Sequence, residues 1–201
     1  MAGGKTVAAQ RHAWLVFEDE AGQTLRPPKA RTWGRRGRTP VIPVSGKGSG
    51  RISVAGLSCY RPGQRSRLIY RTIVHRNRKG ERRSFSERDY ISLIDAAHQQ
   101  LDGPIVLVWD NLNTHISAAM RQMIDARDWL HVIRLPAYAP DLNPVEAVWS
   151  HLKRSIGNLA VNGVDHLQAI IKNRLKTIQH RTDLLDGFLT HTGLTLEPDT
   201  T

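Results

Sequence analysis

The chain has 201 residues, 40% of them apolar, enough for one domain with a sizeable core, and no apolar run approaches the ~20 residues of a membrane span. Cys59 is its single cysteine, which excludes an internal disulfide and a cysteine-based zinc site. A net charge of +11 favours a polyanionic partner, and that charge is segregated: residues 1–100 hold 20 Lys and Arg against 7 Asp and Glu, residues 101–201 hold 9 against 11.

Residues 1–11 lack the apolar stretch of a secretory signal and read as a short extension before one domain over 12–189, so the expected location is the cytoplasm. His12 to Phe17 is a first strand, with Ala21 to Leu25 expected to return beside it as a hairpin partner. The Pro- and Gly-rich run to Gly50 suits a loop. RISVAGLSCY and SRLIYRTIV have the β-branched content of strands, and Arg61-Pro62-Gly63-Gln64 is the turn between them, giving an antiparallel meander. Ser86 is placed to cap a helix to Leu101, where Tyr90, Ile91, Leu93, Ile94, Ala97 and Leu101 recur at helical spacing, and Gly103-Pro104 ends it. Ile105 to Trp109, apolar throughout, reads as a strand covered on both faces. A helix from Ser117 to Arg127 and a strand from Leu130 to Leu135 complete a parallel strand-helix-strand unit. Helices over Pro144 to Ile156 and Val164 to His180 follow, and residues 190–201 read as a frayed tail. A meander followed by parallel strand-helix units is the order of an α/β, ribonuclease H-like fold with a mixed sheet.

Between Ala21 and Arg83 only Glu81 is acidic, while Arg35, Arg36 and many other cations crowd the stretch. Arginine dominates, and its planar fork suits phosphate pairing; a solvated, solubilising face is the plainer alternative.

Three carboxylates stand where chemistry on phosphodiesters would need them. Asp19 closes AWLVF, Asp110 closes IVLVW, and Glu146 follows Asn143-Pro144 at a helix start. Carboxylate oxygens are what Mg²⁺ selects. Each has a plainer reading: Asp19 between Glu18 and Glu20 as a polar strand end, Asp110 as a turn former, and Glu146 as the third residue of a capping box. Strand alternation puts Asp19 on the face of Leu15 and Phe17. Asp141 reads as a turn residue, and the histidines, His115 among them, show no metal-ligand spacing and read as surface or core groups. Lys153 lies seven residues after Glu146 on the same helix stripe, with Arg154 beside it; both suit phosphate contacts, and both also complement the helix dipole. Trp149 reads as core.

FEDEAG, VWDNLNTH and above all LPAYAPDLNPVEAVWSHLKR resemble the three acidic motifs of the DDE transposases of bacterial insertion sequences in the mariner-like superfamily. The 35 residues between Asp110 and Glu146 fall in that family's range. The resemblance implies a triad of Asp19, Asp110 and Glu146 holding two Mg²⁺ or Mn²⁺ ions, with cleavage at element ends and strand transfer into target DNA. It further implies DNA as partner, a homodimer on DNA and a nucleoid-associated protein. Such transposases carry helix-turn-helix domains ahead of the catalytic one, whereas 18 residues precede Asp19 here, so a separately encoded recognition half or a truncated remnant is expected. A nuclease without joining activity and a catalytically inactive DNA-binding remnant are the alternatives.

Overall fold

A computed structural model of the chain describes residues 2–38, 40–41, 50–136 and 139–195. Five strands form one mixed sheet in the order β3-β2-β1-β4-β5: β1 (Trp14–Thr24), β2 (Arg51–Tyr60), β3 (Arg67–His75), β4 (Ile105–Trp109) and β5 (Leu130–Arg134). The first three are antiparallel, and β4 and β5 add in parallel to β1. The expected meander followed by parallel strands is what the chain builds.

Both faces of the sheet are covered. On one side Leu15 and Phe17 of β1, Ile52 and Val54 of β2, and Val106 and Val108 of β4 pack under α1 (Ala2–Gln10), α5 (Pro144–Ser155), α6 (Val164–Gln179) and α7 (Thr182–His191). On the other, Trp14, Val16, Leu57, Leu107 and Trp109 meet α2 (Glu87–Leu101) and Met120 of α4 (Ala118–Asp125). Apolar residues of one strand alternate between the two clusters, as the two-residue period of a strand requires. This double cover explains why every position of β4 is buried.

Local chemistry accounts for the element ends. The Ser86 N–H donates to the Asp89 carboxylate at 2.9 Å, a capping box that starts α2, and Asp102 closes it in the left-handed region at φ 49°. Gly63, at φ 72°, makes the turn between β2 and β3, where Gln64 N–H donates to Arg61 O at 3.0 Å. Ser117 caps α4 by accepting from Met120 N–H.

Three expectations need correction. Ala21–Leu25 is no hairpin partner: β1 runs unbroken from Trp14 to Thr24, paired with β2 from Leu15↔Tyr60 to Thr24↔Arg51. The acidic triplet does not end the strand, because polar side chains leave the backbone ladder free to continue. Residues 2–10, read as an extension, form α1, whose Ala8 is buried and whose Gly4 lies against Leu15, Val108 and Ile133. The third concerns the end of the chain, where α7 occupies Thr182–His191 and Leu194 is buried, while residues 196–201 lie outside the described set. A short α3 (Asn113–Ile116) precedes α4.

Candidate functional site

Asp19, Asp110 and Glu146 come from three elements and line one cavity of about 370 Å³, with Asn143 and Pro140 among its walls. Asp19 projects from the central strand on the side of Leu15 and Phe17, as alternation required. Asp110 is the first residue beyond β4, at the carboxyl end of a parallel strand, and Glu146 lies in the first turn of α5. Asn143 anchors this end of the helix. Its side-chain oxygen accepts from Val145 N–H at 3.1 Å, and its amide donates to the Glu18 carbonyl at 2.9 Å, joining α5 to β1.

The capping-box reading of Glu146 does not hold. The Asn143 N–H, which such a box would place on the Glu146 carboxylate, donates instead to Pro140 O at 2.9 Å. The side chain is left to the cavity. Pro140–Leu142 forms a short 3-10 helix, so Asp141 is a turn residue as expected; it lines a neighbouring cavity of about 850 Å³ that shares Pro140, Asn143 and Glu146 with the first. Arg154 lines that second cavity too, whereas Lys153 is exposed outside both. A mostly apolar cavity of about 510 Å³ between α1 and the end of α7 has no acidic residue among its described lining, and its size alone does not make it a reactive site.

The electrostatics of the three acids differ. Burial, then repulsion from Glu146 and Asp110, pushes the Asp19 carboxyl up to about 7, although a hydrogen bond from Trp149 Nε1 at 2.9 Å opposes the rise. Asp110 is half-buried, which works against its charge, but hydrogen bonds from His115 Nδ1 at 2.9 Å and Leu112 N–H at 3.0 Å hold it below the usual carboxylate range. Glu18, on the opposite face of β1, is buried and raised well above that range by desolvation and by Asp19, Asp110 and Glu20 around it.

Sequence reasoning missed the surroundings of the triad. His115, read as an ordinary core or surface histidine, bonds Asp110; Trp149, read as core, is core and also the donor to Asp19. Arg35 and Arg36 are exposed in the segment after β1. Not every arginine of the basic run is free for a partner: Arg76 forms a bidentate pair with Asp165, and Arg82 pairs with Asp89. Lys47 lies outside the described residues.

Residues 14–168 match the family described as DDE superfamily endonuclease. The chain belongs to this family. Among curated relatives of the DDE endonucleases, the transposable element Tc1 transposase of Caenorhabditis elegans is 30% identical over 82 residues, covering 41% of this chain and 30% of that one. The mariner Mos1 paired end complex with Mg superposes with a TM-score of 0.61 at 14% identity, over 94% of this chain and 57% of that one. The catalytic domain of Mos1 mariner transposase gives 0.53 at 14% identity, over 96% and 90% of the respective chains. The chain thus spans under two thirds of the longer relatives, and the structural likeness shows a shared ribonuclease H-like fold. Among the described residues no helix is long and apolar enough to cross a membrane.

Proposed function

We propose that this domain is the catalytic part of a transposase, cutting DNA strands at the ends of a mobile element and joining the freed ends to target DNA. The observation that supports this reading most directly is the opening of Asp19, Asp110 and Glu146 into one cavity. Three hard oxygen donors, one of them raised to about 7 by burial and by its acidic neighbours, make a place where a divalent cation would relieve unbalanced negative charge. Among the described residues no three acidic or metal-ligating side chains stand close enough to enclose an ion, so the carboxylates would have to draw together around it. Asp19, Asp110 and Glu146 would hold Mg²⁺ or Mn²⁺, two ions in this reading, which supply an activated water and charge stabilisation at the phosphorus.

The remaining residues have separate tasks. Trp149 and Asn143 tie α5 to β1 through hydrogen bonds to Asp19 and to the Glu18 carbonyl, so Asp19 and the start of α5 stay neighbours while the carboxylates close on an ion. Arg154, at the other end of α5 from Glu146 but lining the same adjoining cavity, would pair a backbone phosphate, and Lys153 would extend that basic helix end. Arg35 and Arg36 extend the phosphate-binding surface away from the cavity. The Mos1 complexes with transposon-end DNA and with Mg or Mn share this fold and make DNA and a divalent ion the natural partners to test.

The test is a cleavage assay on labelled duplexes carrying element ends, with Mg²⁺ or with chelator, and with or without a separately supplied helix-turn-helix half. Metal-dependent nicking followed by end joining is expected. Nicking without joining would leave a nuclease. No nicking under any of these conditions would leave a DNA-binding remnant.

A further inference from the structure

Behind the acidic cavity, on the face of the sheet covered by α2, lies a polar cluster to which the proposed catalysis gives no part. The His115 side chain is wholly buried, its ring parallel to Trp109 at 4.1 Å between centroids and edge-on to Tyr90 at 4.8 Å. Nδ1 lies 2.9 Å from Asp110 Oδ1; Nε2 lies 3.4 Å from Glu18 Oε2. Glu18 is only 1% exposed, and among the described residues its carboxylate makes no hydrogen bond, nor does His115 Nε2. Tyr90, the edge-on neighbour, donates to Glu20 at 2.7 Å.

Burying such groups is costly, since an unsatisfied polar atom costs roughly 1–3 kcal/mol, and an apolar side chain would fill the same space without that cost. What the arrangement gains is direction. The imidazole cannot turn between its two aromatic walls, so its one hydrogen bond is aimed at Asp110. That carboxylate stands just past the end of β4, where a histidine on the far side of the sheet can reach it. Asp110 Oδ1 takes both of its donors, His115 Nδ1 and Leu112 N–H, and among the described residues neither bonds Oδ2. Carboxylates that ligate metals depend on such outer partners for their orientation.

We propose that His115 is a positioning residue for the site: clamped by Trp109 and Tyr90 and facing Glu18 behind, it holds Asp110 by Oδ1 so that Oδ2 faces the cavity. This rests on the reading of Asp110 as a catalytic carboxylate. The other ring nitrogen takes no part in holding Asp110, which gives the inference its test.

Asparagine can place an amide N–H near the position of Nδ1, whereas glutamine reaches toward that of Nε2, and both remove the ring. His115→Asn and His115→Gln should therefore lose comparable stability in chelator, yet differ in function. We expect the Asn variant to cut DNA at least ~10-fold faster than the Gln variant, in line with the loss typical of a ligand's outer partner. The rise in melting temperature on adding Mg²⁺ or Mn²⁺ should follow the same order, with DNA affinity alike in both. Asn and Gln variants that cut equally well, while Asp110→Asn is inactive, would overturn the positioning role and leave the catalytic reading standing. Asp110→Asn cutting at the wild-type rate would overturn the catalytic reading, and the inference with it. Should the variants fail to fold, nuclear magnetic resonance of the otherwise unaltered protein decides: the His115 Nδ1 proton must shift when Asp110 becomes Asn, and a signal that stays put overturns the proposal.

Discussion

The indole N–H of Trp149 donates to Asp19 at 2.9 Å while the far edge of the same ring lies over Gly56, the residue paired with Asp19 across β1 and β2. One side chain thus depends on the smallness of one residue and supports the charge of another. A Cβ at position 56 would meet Trp149 Cη2 at 2.7 Å, so Gly56→Ala must push the indole away from the sheet. Overpacking of this kind costs about 1–3 kcal/mol. Gly56→Ala should lower the denaturant midpoint and slow cleavage, and Trp149→Phe, which leaves a gap over Gly56 and removes the donor to Asp19, should do the same. A Gly56→Ala protein with wild-type midpoint and rate would refute the link.

Metal-free stability should fall as pH rises. Asp19 titrates near 7 in the fold against 3.8 as its ordinary value, so the folded state holds a proton that the unfolded state releases. The contribution is complete below the unfolded value and is lost as pH climbs through about 4 to 7. In chelator, wild type should melt lower at pH 8 than at pH 5, and Asp19→Asn should reduce that difference and be the more stable protein at pH 8. The same variant should not cut DNA. Equal pH dependence in the two proteins would remove Asp19 as the source.

Glu146 makes no capping bond to Asn143 N–H, so its carboxylate has no evident duty in holding α5. Glu146→Gln should then melt within about 0.5 kcal/mol of wild type in chelator, the usual range for surface changes away from structural features. It should lose most of the stabilisation gained from Mg²⁺ or Mn²⁺ and show no strand cleavage. Asp110→Asn should lose the same two properties. A Glu146→Gln enzyme cutting at the wild-type rate would shift attention to Asp141 in the adjoining cavity.

On the proposed reading, binding to DNA should be strong at low salt, weakly sequence-selective and steeply salt-dependent, because arginine-rich surface charge pairs with phosphates and reads no base. Charge reversal at the exposed Arg35 and Arg36 should flatten the salt slope by about one unit for each phosphate no longer neutralised. Reversal at Arg76, already paired with Asp165, should act chiefly on stability. An unchanged slope for the Arg35 and Arg36 variant would assign that pair to the solvated surface.

The parallel strands after an antiparallel meander, most of the helices and the positions of the three acids were legible because each leaves a periodic or local mark: alternation in β1, an all-apolar β4, the Asn-Pro start of α5. The boundary of β1 was not, since the polar triplet at Glu18, Asp19 and Glu20 resembles a strand end while ladder bonds to β2 carry the chain through it. Helix α1 was hidden by its weak amphipathicity and glycines, and it is held by contacts to Leu15, Val108 and Ile133 far along the chain. His115 carried no spacing signal, because its meaning comes from Glu18, Tyr90 and Trp109, which only folding brings around it. The capping reading of Glu146 failed for a related reason: the 3-10 turn at Pro140 had already satisfied the Asn143 N–H.

The parallel register of β1 and β4 carries one more consequence. Phe17 pairs with Val108, and Asp19 and Asp110 each stand two residues farther along, so the two carboxylates inherit a common height and a common side from the ladder. A point substitution near them leaves that inheritance intact. One residue inserted between Phe17 and Asp19, or between Val108 and Asp110, turns the downstream side chain to the opposite side of the sheet, even though the hydrophobic strand before it still packs. Residues 25–38, which follow β1, lie outside that ladder, so length added there leaves the register of the two strands alone. A residue gained at either of those two points should therefore set Asp19 and Asp110 on opposite sides of the sheet, and one gained before Asp19 would shift the pairing of β1 with β2 as well.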